Sequence, residues 1–174
     1  MKVALDTQTI IYLFGPSEPG PAPSEETRDL WRRAAILIDE LEGEEAEIIV
    51  PSIVAAELLV KIDPAEHGAF LAKLKERFFI PAFDLRASEI AATLWHKHAK
   101  LPKEERQERK LLKADVLIIA TAKAAGADAF YTHDAKARKV AQFVMNAFDL
   151  PQNSTDMFVD HASRQVGGPL PAKE

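Results

Sequence analysis

The segment from Lys113 to Asp134 constrains the fold of this chain more than any other part of its sequence. Its first half is a run of Ala, Val, Leu, Ile and Thr with a single carboxylate, Asp115, near its start. Gly126 follows, and then come the apolar run Ala129–Tyr131 and a closing Asp134. A helix that is apolar on nearly every side is usually buried, and Gly often ends a helix. The segment therefore predicts a buried helix, a stop at Gly126, a short strand and an acid where that strand ends.

Segments typical of strands and of helices alternate along the rest of the chain. Pro81 lies inside one predicted strand and places it at a sheet edge, because Pro has no N–H to donate to a neighbour. Alternation of this kind predicts an α/β fold, a three-layer αβα sandwich with a central, mainly parallel sheet. The predicted strands before Lys113 are Lys2–Asp6, Glu47–Pro51 and Phe78–Phe83.

The length and composition of the chain fit one globular domain. It has 174 residues, of which 47% are apolar and 28% charged, enough for a substantial core. We expect residues 1–150 to form the domain. A last edge strand is predicted near Asn146–Leu150 or Asp156–Val159. Residues 151–174 are expected to supply that edge strand or a flexible tail.

Charge and cysteine content exclude several classes of protein. There is no Cys, so disulfides and thiolate metal sites are excluded. The net charge of −5 argues against a nucleic-acid binder held by global charge, but not against a nuclease whose bound cations reverse the local sign. Asp6 interrupts the first apolar run, and no run approaches the ~20 residues of a membrane span. We therefore expect a cytoplasmic protein with no membrane association.

Four carboxylates, Asp6, Glu57, Asp115 and Asp134, stand out because each lies beside strongly apolar sequence. An ionised carboxylate in such a place is costly unless a cation or hydrogen-bond donors meet it. Asp6 and Asp134 end predicted strands, and Glu57 lies in the second turn of the helix after another. In parallel α/β sheets ligands bind at the carboxyl ends of the strands. The four acids are therefore expected to converge at one rim of the sheet.

Each acid also has a purely structural interpretation. Asp6 could be a helix cap or turn former, and Asp134 could cap the helix that follows it. Glu57 could form an exposed i,i+4 pair with Lys61, and Asp115 could be an exposed first-turn residue favoured by the helix dipole. Four coincident structural roles are less common than any one of them, so the set indicates a shared site.

The order of these acids, with their neighbours, resembles that of the PIN domain, the ribonuclease fold of the VapC-type toxins. The resemblance runs over about residues 1–145, and no single piece of it is specific alone. The matching pieces are Asp6-Thr7, Ala56-Glu57, Ala114-Asp115 with Ile119–Ala122, and Thr132-His133-Asp134.

The resemblance implies a metal-dependent endoribonuclease, a hydrolase that cleaves RNA phosphodiesters. Oxygen ligands without Cys favour Mg²⁺ or Mn²⁺ over zinc. The metal would activate water for in-line attack on the phosphodiester and stabilise the charge on the leaving oxygen. The residues implied to be both catalytic and metal-binding are Asp6, Glu57, Asp115 and Asp134.

The resemblance extends to the surroundings of the site and to partners. The hydroxyls of Thr7 and Thr132 would donate hydrogen bonds that orient the carboxylates. Lys113 would position substrate phosphates, unless it belongs only to a solvated helix face. RNA is the implied substrate, an antitoxin protein the implied partner, and a homodimer the implied assembly. The protein could then be the toxin of a toxin–antitoxin pair.

Other functions fit the sequence less well. A non-catalytic PIN-like module that binds RNA or protein is the main alternative, although the presence of all four acids speaks against it. A haloacid dehalogenase-like phosphatase would need a second acid at position 8, where this chain has Gln8. A Rossmann nucleotide-binding domain would need a Gly-rich turn after the first strand, and none is present.

Overall fold

A four-stranded parallel sheet forms the centre of the protein. The computed structural model describes residues 1–14, 22–105 and 109–152. The strands, in chain order β1 to β4, are Lys2–Leu5, Glu47–Ile49, Ala129–Tyr131 and Asn146–Phe148. Their order across the sheet is β2-β1-β3-β4, and all three neighbouring pairs are parallel. Because neighbouring strands are parallel, all four carboxyl ends lie at the same rim.

Helices flank the sheet and connect its strands. The connection from β1 to β2 leads toward one edge of the sheet, and the later connections lead toward the other edge. Because crossover connections between parallel strands are right-handed, connections in opposite directions place their helices on opposite faces. Helices therefore cover both faces of the sheet. The predicted α/β architecture with a central parallel sheet is confirmed. The helices α1 to α7 are Thr7–Phe14, Glu25–Gly43, Ser52–Leu59, His67–Arg77, Leu85–Ala99, Arg109–Ala124 and Ala135–Ala141.

The core forms where the central strands meet the inner faces of the helices. Val3 and Leu5 of β1 are fully buried, and so are Val116 and Ile119 of α6. A strand covered by helices on both faces is apolar at consecutive positions, which is why β1 shows no alternation. The same burial excludes water from the segments that lead directly to the rim.

A glycine ends α6 and directs the chain into β3. Gly126 has φ +89°, a left-handed conformation that glycine adopts without the steric cost of a Cβ. The N–H of Ala127 donates to the carbonyl of Ala122 at 3.0 Å, which satisfies one terminal carbonyl of the helix. Asp128 N then donates to the carbonyl of Lys2 at 2.9 Å, and this sets β3 beside β1. The predicted helix stop at this glycine is confirmed.

The prediction of a regular strand at Phe78–Phe83 is wrong. Only Phe79 forms a β-bridge, with Ile49 of β2. Pro81 contributes its carbonyl, which accepts from Ser52 N at 3.0 Å, but it has no N–H with which to continue a ladder. The segment therefore runs along the outside of β2, at the sheet edge that Pro81 indicated, without becoming a fifth strand.

The opposite edge of the sheet is β4, so the edge strand predicted near Asn146–Leu150 is confirmed. The alternative at Asp156–Val159 lies outside the described residues, as do residues 153–174 of the segment 151–174 that was predicted to form an edge strand or a flexible tail. The division into residues 1–150 and 151–174 stays a prediction. Among the helices described, none combines the length and the apolar character needed to cross a membrane.

Candidate functional site

Asp6 lies at the carboxyl end of β1, where it also begins α1. Its Oδ1 accepts from the N–H of Thr9 at 2.7 Å, and its carbonyl accepts from Ile10 N at 3.3 Å. This is the geometry of a helix N-cap, so the structural interpretation of Asp6 is correct as far as it goes. The side chain is nevertheless buried, with 9% of the residue exposed. Capping an exposed helix end does not require burial, so the cap alone does not explain the position.

Thr132 joins the end of β3 to the end of β1. Its hydroxyl donates to Asp6 Oδ2 at 2.5 Å and accepts from the N–H of Asp134 at 3.1 Å. Thr132 is completely buried, and its own N–H donates to the carbonyl of Phe148 at 3.0 Å. One hydroxyl thus contacts both acids that the sequence placed at strand ends. Connections leave β1 and β3 toward opposite edges of the sheet, and α/β proteins bind ligands at such a switch point.

Burial changes the acidity of Asp6. Removal from water raises its pKa above the ordinary value of 3.8, because the charged form is the one that loses hydration. The hydrogen bonds from Thr132 and Thr9 oppose this rise, and the negative charge of Asp134 adds to it. The repulsion places Asp134 within electrostatic range of Asp6. No described basic side chain forms an ion pair with Asp6 to offset either effect.

Glu57 reaches the same rim from α3. Its Oε2 accepts a short hydrogen bond from the hydroxyl of Thr7, the residue that follows Asp6. The predicted alternative, an ion pair between Glu57 and Lys61, is not formed among the described side chains. Helices α1 and α3 pack together, which explains the approach of residues far apart in sequence. Glu57 is thus bonded to the residue next to Asp6, while Thr132 bonds the Asp6 carboxylate and the Asp134 N–H.

Asp134 is exposed and caps α7. Its Oδ1 accepts from the N–H groups of Lys136 at 2.6 Å and Ala137 at 3.2 Å, so the structural interpretation is again correct. Both capping bonds fall on this one oxygen, and Oδ2 takes no part in them. A carboxylate can cap a helix with one oxygen and contact a cation with the other.

Asp115 and Lys113 lie on α6. This helix begins at Arg109, so Asp115 is half-buried in its second turn, not exposed in its first. Lys113 is exposed. Helix α6 packs against α3, the helix that carries Glu57, and against α5. That Asp115 lies close to the other three acids stays a prediction, with which the packing of α6 against α3 is compatible.

The acids do not form a compact metal-ligand cluster. Across residues 1–14, 22–105 and 109–152, no three His, Asp or Glu side chains are grouped so that they could hold a metal ion as they stand. Threonine hydroxyls engage Asp6 and Glu57, and backbone N–H groups engage Asp134. The donor set itself fits a hard divalent cation, since it consists of carboxylate and hydroxyl oxygens around a buried acid that pairs with no described basic side chain.

Sequence reasoning missed a second group of charged residues beside the site. Asp149, just after β4, forms ion pairs with Arg33 and Arg138 and accepts a hydrogen bond from His133. It also missed Thr9. The side chain of an N-cap residue usually accepts from the N–H two or three residues later, so a cap at Asp6 could have indicated Thr9. No periodicity connects Arg33 in α2 with Asp149, so their contact could not be found from sequence spacing.

Comparison with solved structures agrees with the observed fold. A chain of the VapBC2 complex from Rickettsia felis, solved with a DNA fragment from its promoter, superposes with a TM-score of 0.58 at 16% identity, over 87% of this chain and 100% of that one. A chain of VapBC-1 from nontypeable Haemophilus influenzae superposes with a TM-score of 0.59 at 19% identity, over 86% of this chain and 98% of that one. A chain of DNA-bound VapBC from Salmonella typhimurium superposes with a TM-score of 0.59 at 15% identity, over 87% of this chain and 99% of that one. At these identities the likeness concerns the fold.

Sequence comparison supplies the family. No curated protein sequence matches the chain significantly. The family model for the PIN domain matches residues 3–142, which include Asp6, Glu57, Asp115 and Asp134 as well as Thr7 and Thr132. This match covers well over half of the chain, and the fold agrees with it. The chain belongs to the PIN domain family.

Proposed function

We propose that this protein is a VapC-type endoribonuclease that uses a divalent metal ion to hydrolyse RNA phosphodiesters. The observation that supports the proposal most directly is the state of Asp6. It is buried at the switch point of a parallel sheet, its pKa is raised, and no described side chain neutralises its charge. A buried carboxylate of this kind is costly to the fold unless a cation offsets it.

The metal would be Mg²⁺ or Mn²⁺, held directly or through water by Asp6, Glu57, Asp115 and Asp134. When bound, such an ion activates water and stabilises the developing charge on a phosphodiester. Two features of the chain prepare the site. Thr132 holds Asp6 Oδ2 and Thr9 holds Oδ1, so the carboxylate has a fixed orientation before a cation arrives. The packing of α3 against α1 and α6 supports a common site for Asp6, Glu57 and Asp115.

The surroundings of the site suit a phosphate substrate. Lys113 is exposed on the same helix as Asp115, two residues earlier in sequence, and is proposed to contact RNA phosphates. A local positive charge of this kind, together with the bound metal, would overcome the repulsion expected from a net charge of −5. RNA as the substrate comes from the family resemblance.

The biological role is proposed to be that of a toxin in a toxin–antitoxin pair. The similar solved chains belong to VapBC complexes, two of which were solved with DNA. By analogy this chain would bind an antitoxin protein, form a homodimer and act in the cytoplasm. Co-expression with a neighbouring small gene, followed by co-purification, tests the partner separately from the chemistry.

The chemistry is tested by Asp115→Asn, which removes one negative charge and keeps the shape of the side chain. Wild type is expected to cleave RNA with Mn²⁺ and not with chelator, and the variant to lose that cleavage while staying folded. Asp128→Asn is a matched control, because Asp128 is bonded to Lys2 N at the opposite end of the sheet and should be dispensable for cleavage. Full activity of Asp115→Asn would remove Asp115 from the site.

Metal binding is tested without RNA. Ligand that binds only the native state stabilises it by about 2.7 kcal/mol at 100 times its dissociation constant. Millimolar Mn²⁺ is therefore expected to raise the melting temperature of wild type and of Asp128→Asn, but not of Asp6→Asn. Equal melting temperatures with and without metal in wild type would contradict a site for divalent cations.

A second function, a non-catalytic PIN-like module that binds RNA or protein, has one observation in its favour. Both strand-end acids, Asp6 and Asp134, cap helices, and the described acids are not grouped as metal ligands. If this function were correct, wild type would bind RNA equally well in chelator and in Mn²⁺ and would leave it intact. Metal-dependent cleavage by purified protein would exclude the module as the full account.

A further inference from the structure

Asp149 is the centre of a charged cluster on the outer side of the loop that carries Asp134. Its Oδ1 accepts from His133 Nδ1 at 3.0 Å and lies 3.4 Å from a terminal nitrogen of Arg33. Its Oδ2 lies 3.2 Å from a terminal nitrogen of Arg138. Three separate segments, α2, the loop after β3 and α7, thus contact one carboxylate.

The two arginines are held more firmly than ordinary surface side chains. Only 13% of the Arg33 side chain and 23% of the Arg138 side chain are exposed. Arg33 also donates to the carbonyls of Leu150 at 2.6 Å and Pro151 at 2.8 Å. An isolated exposed ion pair stabilises little, but a network of partly buried charges with backbone contacts is fixed in geometry.

Arg138 connects this cluster to the acidic site. The same terminal nitrogen that contacts Asp149 donates to the carbonyl of Thr132 at 3.0 Å. Thr132 in turn holds Asp6 through its hydroxyl and accepts from the N–H of Asp134. A continuous path of contacts therefore runs from Asp149 through Arg138 and Thr132 to both strand-end acids.

His133 supplies a second connection. It lies between Thr132 and Asp134 in the chain, and its Nδ1 donates to Asp149. The loop of residues 132–134 is thus held to Asp149 by the His133 ring and, through Arg138, by the Thr132 carbonyl. The same loop carries the Thr132 hydroxyl that contacts Asp6.

We propose that Asp149 is a positioning residue: through Arg138 and His133 it fixes the loop of residues 132–134, and so sets where the Thr132 hydroxyl and the Asp134 carboxylate present themselves to a metal ion. It contacts neither metal nor substrate. The role rests on the proposed nuclease function, since only a cation-binding site requires this placement. The electrostatics agree: burial alone would raise the pKa of Asp149, but the hydrogen bond from His133, the Leu150 N–H and the charges of His133 and Arg138 lower it below its ordinary value.

The test uses Asp149→Asn in the full chain. The amide keeps the size of the side chain and can still accept from Leu150 N, but it no longer offers Arg138 a negative partner. The matched control is Glu42→Gln, which removes the partner of Arg77 in an ion pair of 2.7 Å. Glu42 lies near the end of α2, before β2 begins, and thus at the other rim of the sheet.

Three quantities are measured for each variant. In metal-free protein, hydrogen exchange of the Thr132 and Asp134 amides should be faster in Asp149→Asn and unchanged in Glu42→Gln. The Mn²⁺ dissociation constant, from the electron paramagnetic resonance of free Mn²⁺, should rise by about 10–100-fold, as for the loss of other outer partners of metal ligands. In RNA cleavage at saturating Mn²⁺, kcat should fall while KM for RNA stays unchanged.

The outcomes separate this proposal from the nuclease function itself. If wild type binds Mn²⁺ and cleaves RNA, and Asp149→Asn keeps the wild-type affinity, kcat and exchange rates, the positioning role is wrong. A lower melting temperature with unchanged Mn²⁺ affinity would also overturn it, since the cluster would then only stabilise the fold. If wild type neither binds metal nor cleaves, the nuclease function fails, and with it any role for Asp149 in placing ligands.

A second variant protects the test against misfolding. Arg138→Lys keeps the positive charge but replaces the planar guanidinium by a single ammonium, which is a poor substitute in contacting the Thr132 carbonyl and the Asp149 carboxylate together. Arg138→Lys should also raise the Mn²⁺ dissociation constant, but by less than Asp149→Asn does. Wild-type affinity in a folded Arg138→Lys, beside an unfolded Asp149→Asn, would contradict the proposal.

Discussion

Asp6 and Asp149 are both aspartates that follow a strand at the same rim of the sheet, yet their surroundings are opposite. Asp149 has Arg33, Arg138 and His133 around it, and its pKa is lowered. Asp6 is the more buried of the two, accepts hydrogen bonds from Thr9 and Thr132, forms no ion pair with a described side chain, and has a raised pKa. Within the described residues, counter-charge thus surrounds the less buried aspartate.

The contrast distinguishes a structural carboxylate from a candidate ligand. A buried acid that exists only to stabilise a fold is normally paired, because its desolvation is not otherwise offset. Asp149 follows that rule and Asp6 does not. A buried carboxylate at the carboxyl end of β1 without a described counter-charge is where an external cation contributes most, and a perturbed pKa in such a place is typical of functional sites.

The largest expected effect comes from Asp6→Asn. Loss of an outer partner of a metal ligand typically costs about 10–100-fold, so loss of a central ligand should reduce metal-dependent cleavage by more than about 100-fold. In metal-free buffer at neutral pH the same variant should be at least as stable as wild type, because a buried charge without a counter-ion is removed. Urea unfolding and an RNA cleavage assay measure the two quantities on one preparation. Lower stability of Asp6→Asn in chelator would show that the fold does neutralise Asp6.

A smaller effect is expected from Thr132→Val, which keeps the shape of the side chain and removes the hydroxyl between Asp6 and Asp134. The Mn²⁺ dissociation constant should rise by about 10–100-fold, since the carboxylate loses a partner that orients it. Thr121→Val is the control: Thr121 is equally buried, but its hydroxyl donates to the Leu117 carbonyl one turn earlier in α6. Isothermal titration of both variants with Mn²⁺ measures the difference, and equal affinities would mean that Thr132 only packs.

Thr7→Val should have a weaker effect than Thr132→Val. Thr7 donates to Glu57, but both residues are partly exposed, so water can replace the lost hydroxyl. We expect less than about a tenfold rise in the Mn²⁺ dissociation constant, below the range for a buried partner. The same titration ranks the two threonines. An effect of Thr7→Val equal to or above that of Thr132→Val would place the principal ligand at Glu57 and not at Asp6.

Much of the fold could be predicted from the sequence because its segments are locally consistent. The apolar run of α6, Gly126 and the short β3 each have a physical cause that acts within a few residues. The exceptions are informative. Phe78–Phe83 has strand composition but contains Pro81, and α6 begins at Arg109, ahead of the apolar run, because charged residues do not by themselves interrupt a helix.

The candidate site was predictable only where it depends on strand ends. Asp6 and Thr132 follow strands directly and Asp134 comes two residues after Thr132, so the parallel topology brings them together. Asp149 and its arginines could not be predicted, because an ion pair between α2 and the segment after β4 depends on the finished packing of the sheet. The sequence also could not decide whether Asp6 and Asp134 cap helices or lie at the rim of the sheet, and in the structure each of them does both.

The smallest expected effect concerns stability against pH in metal-free buffer, and it has opposite signs for the two aspartates. The pKa of Asp6 in the folded protein is raised above 3.8, its value in the unfolded chain. Between the unfolded and the folded pKa the native state binds more protons than the unfolded state, so the stability contributed by Asp6 falls as pH rises. The folded pKa of Asp149 is lowered, so its contribution is present above 3.8 and is lost as pH falls through the lowered value.

The variants should therefore diverge as pH increases from acidic to neutral. The free energy of unfolding of Asp6→Asn, relative to wild type, should increase as pH rises through the folded pKa of Asp6 and stay constant above it. The free energy of unfolding of Asp149→Asn, relative to wild type, should instead decrease over the acidic range and stay constant at higher pH. Urea unfolding at a series of pH values measures both curves. Parallel curves for the two variants would mean that the two carboxylates have the same electrostatic environment, because linkage converts any difference in folded pKa into a difference in slope.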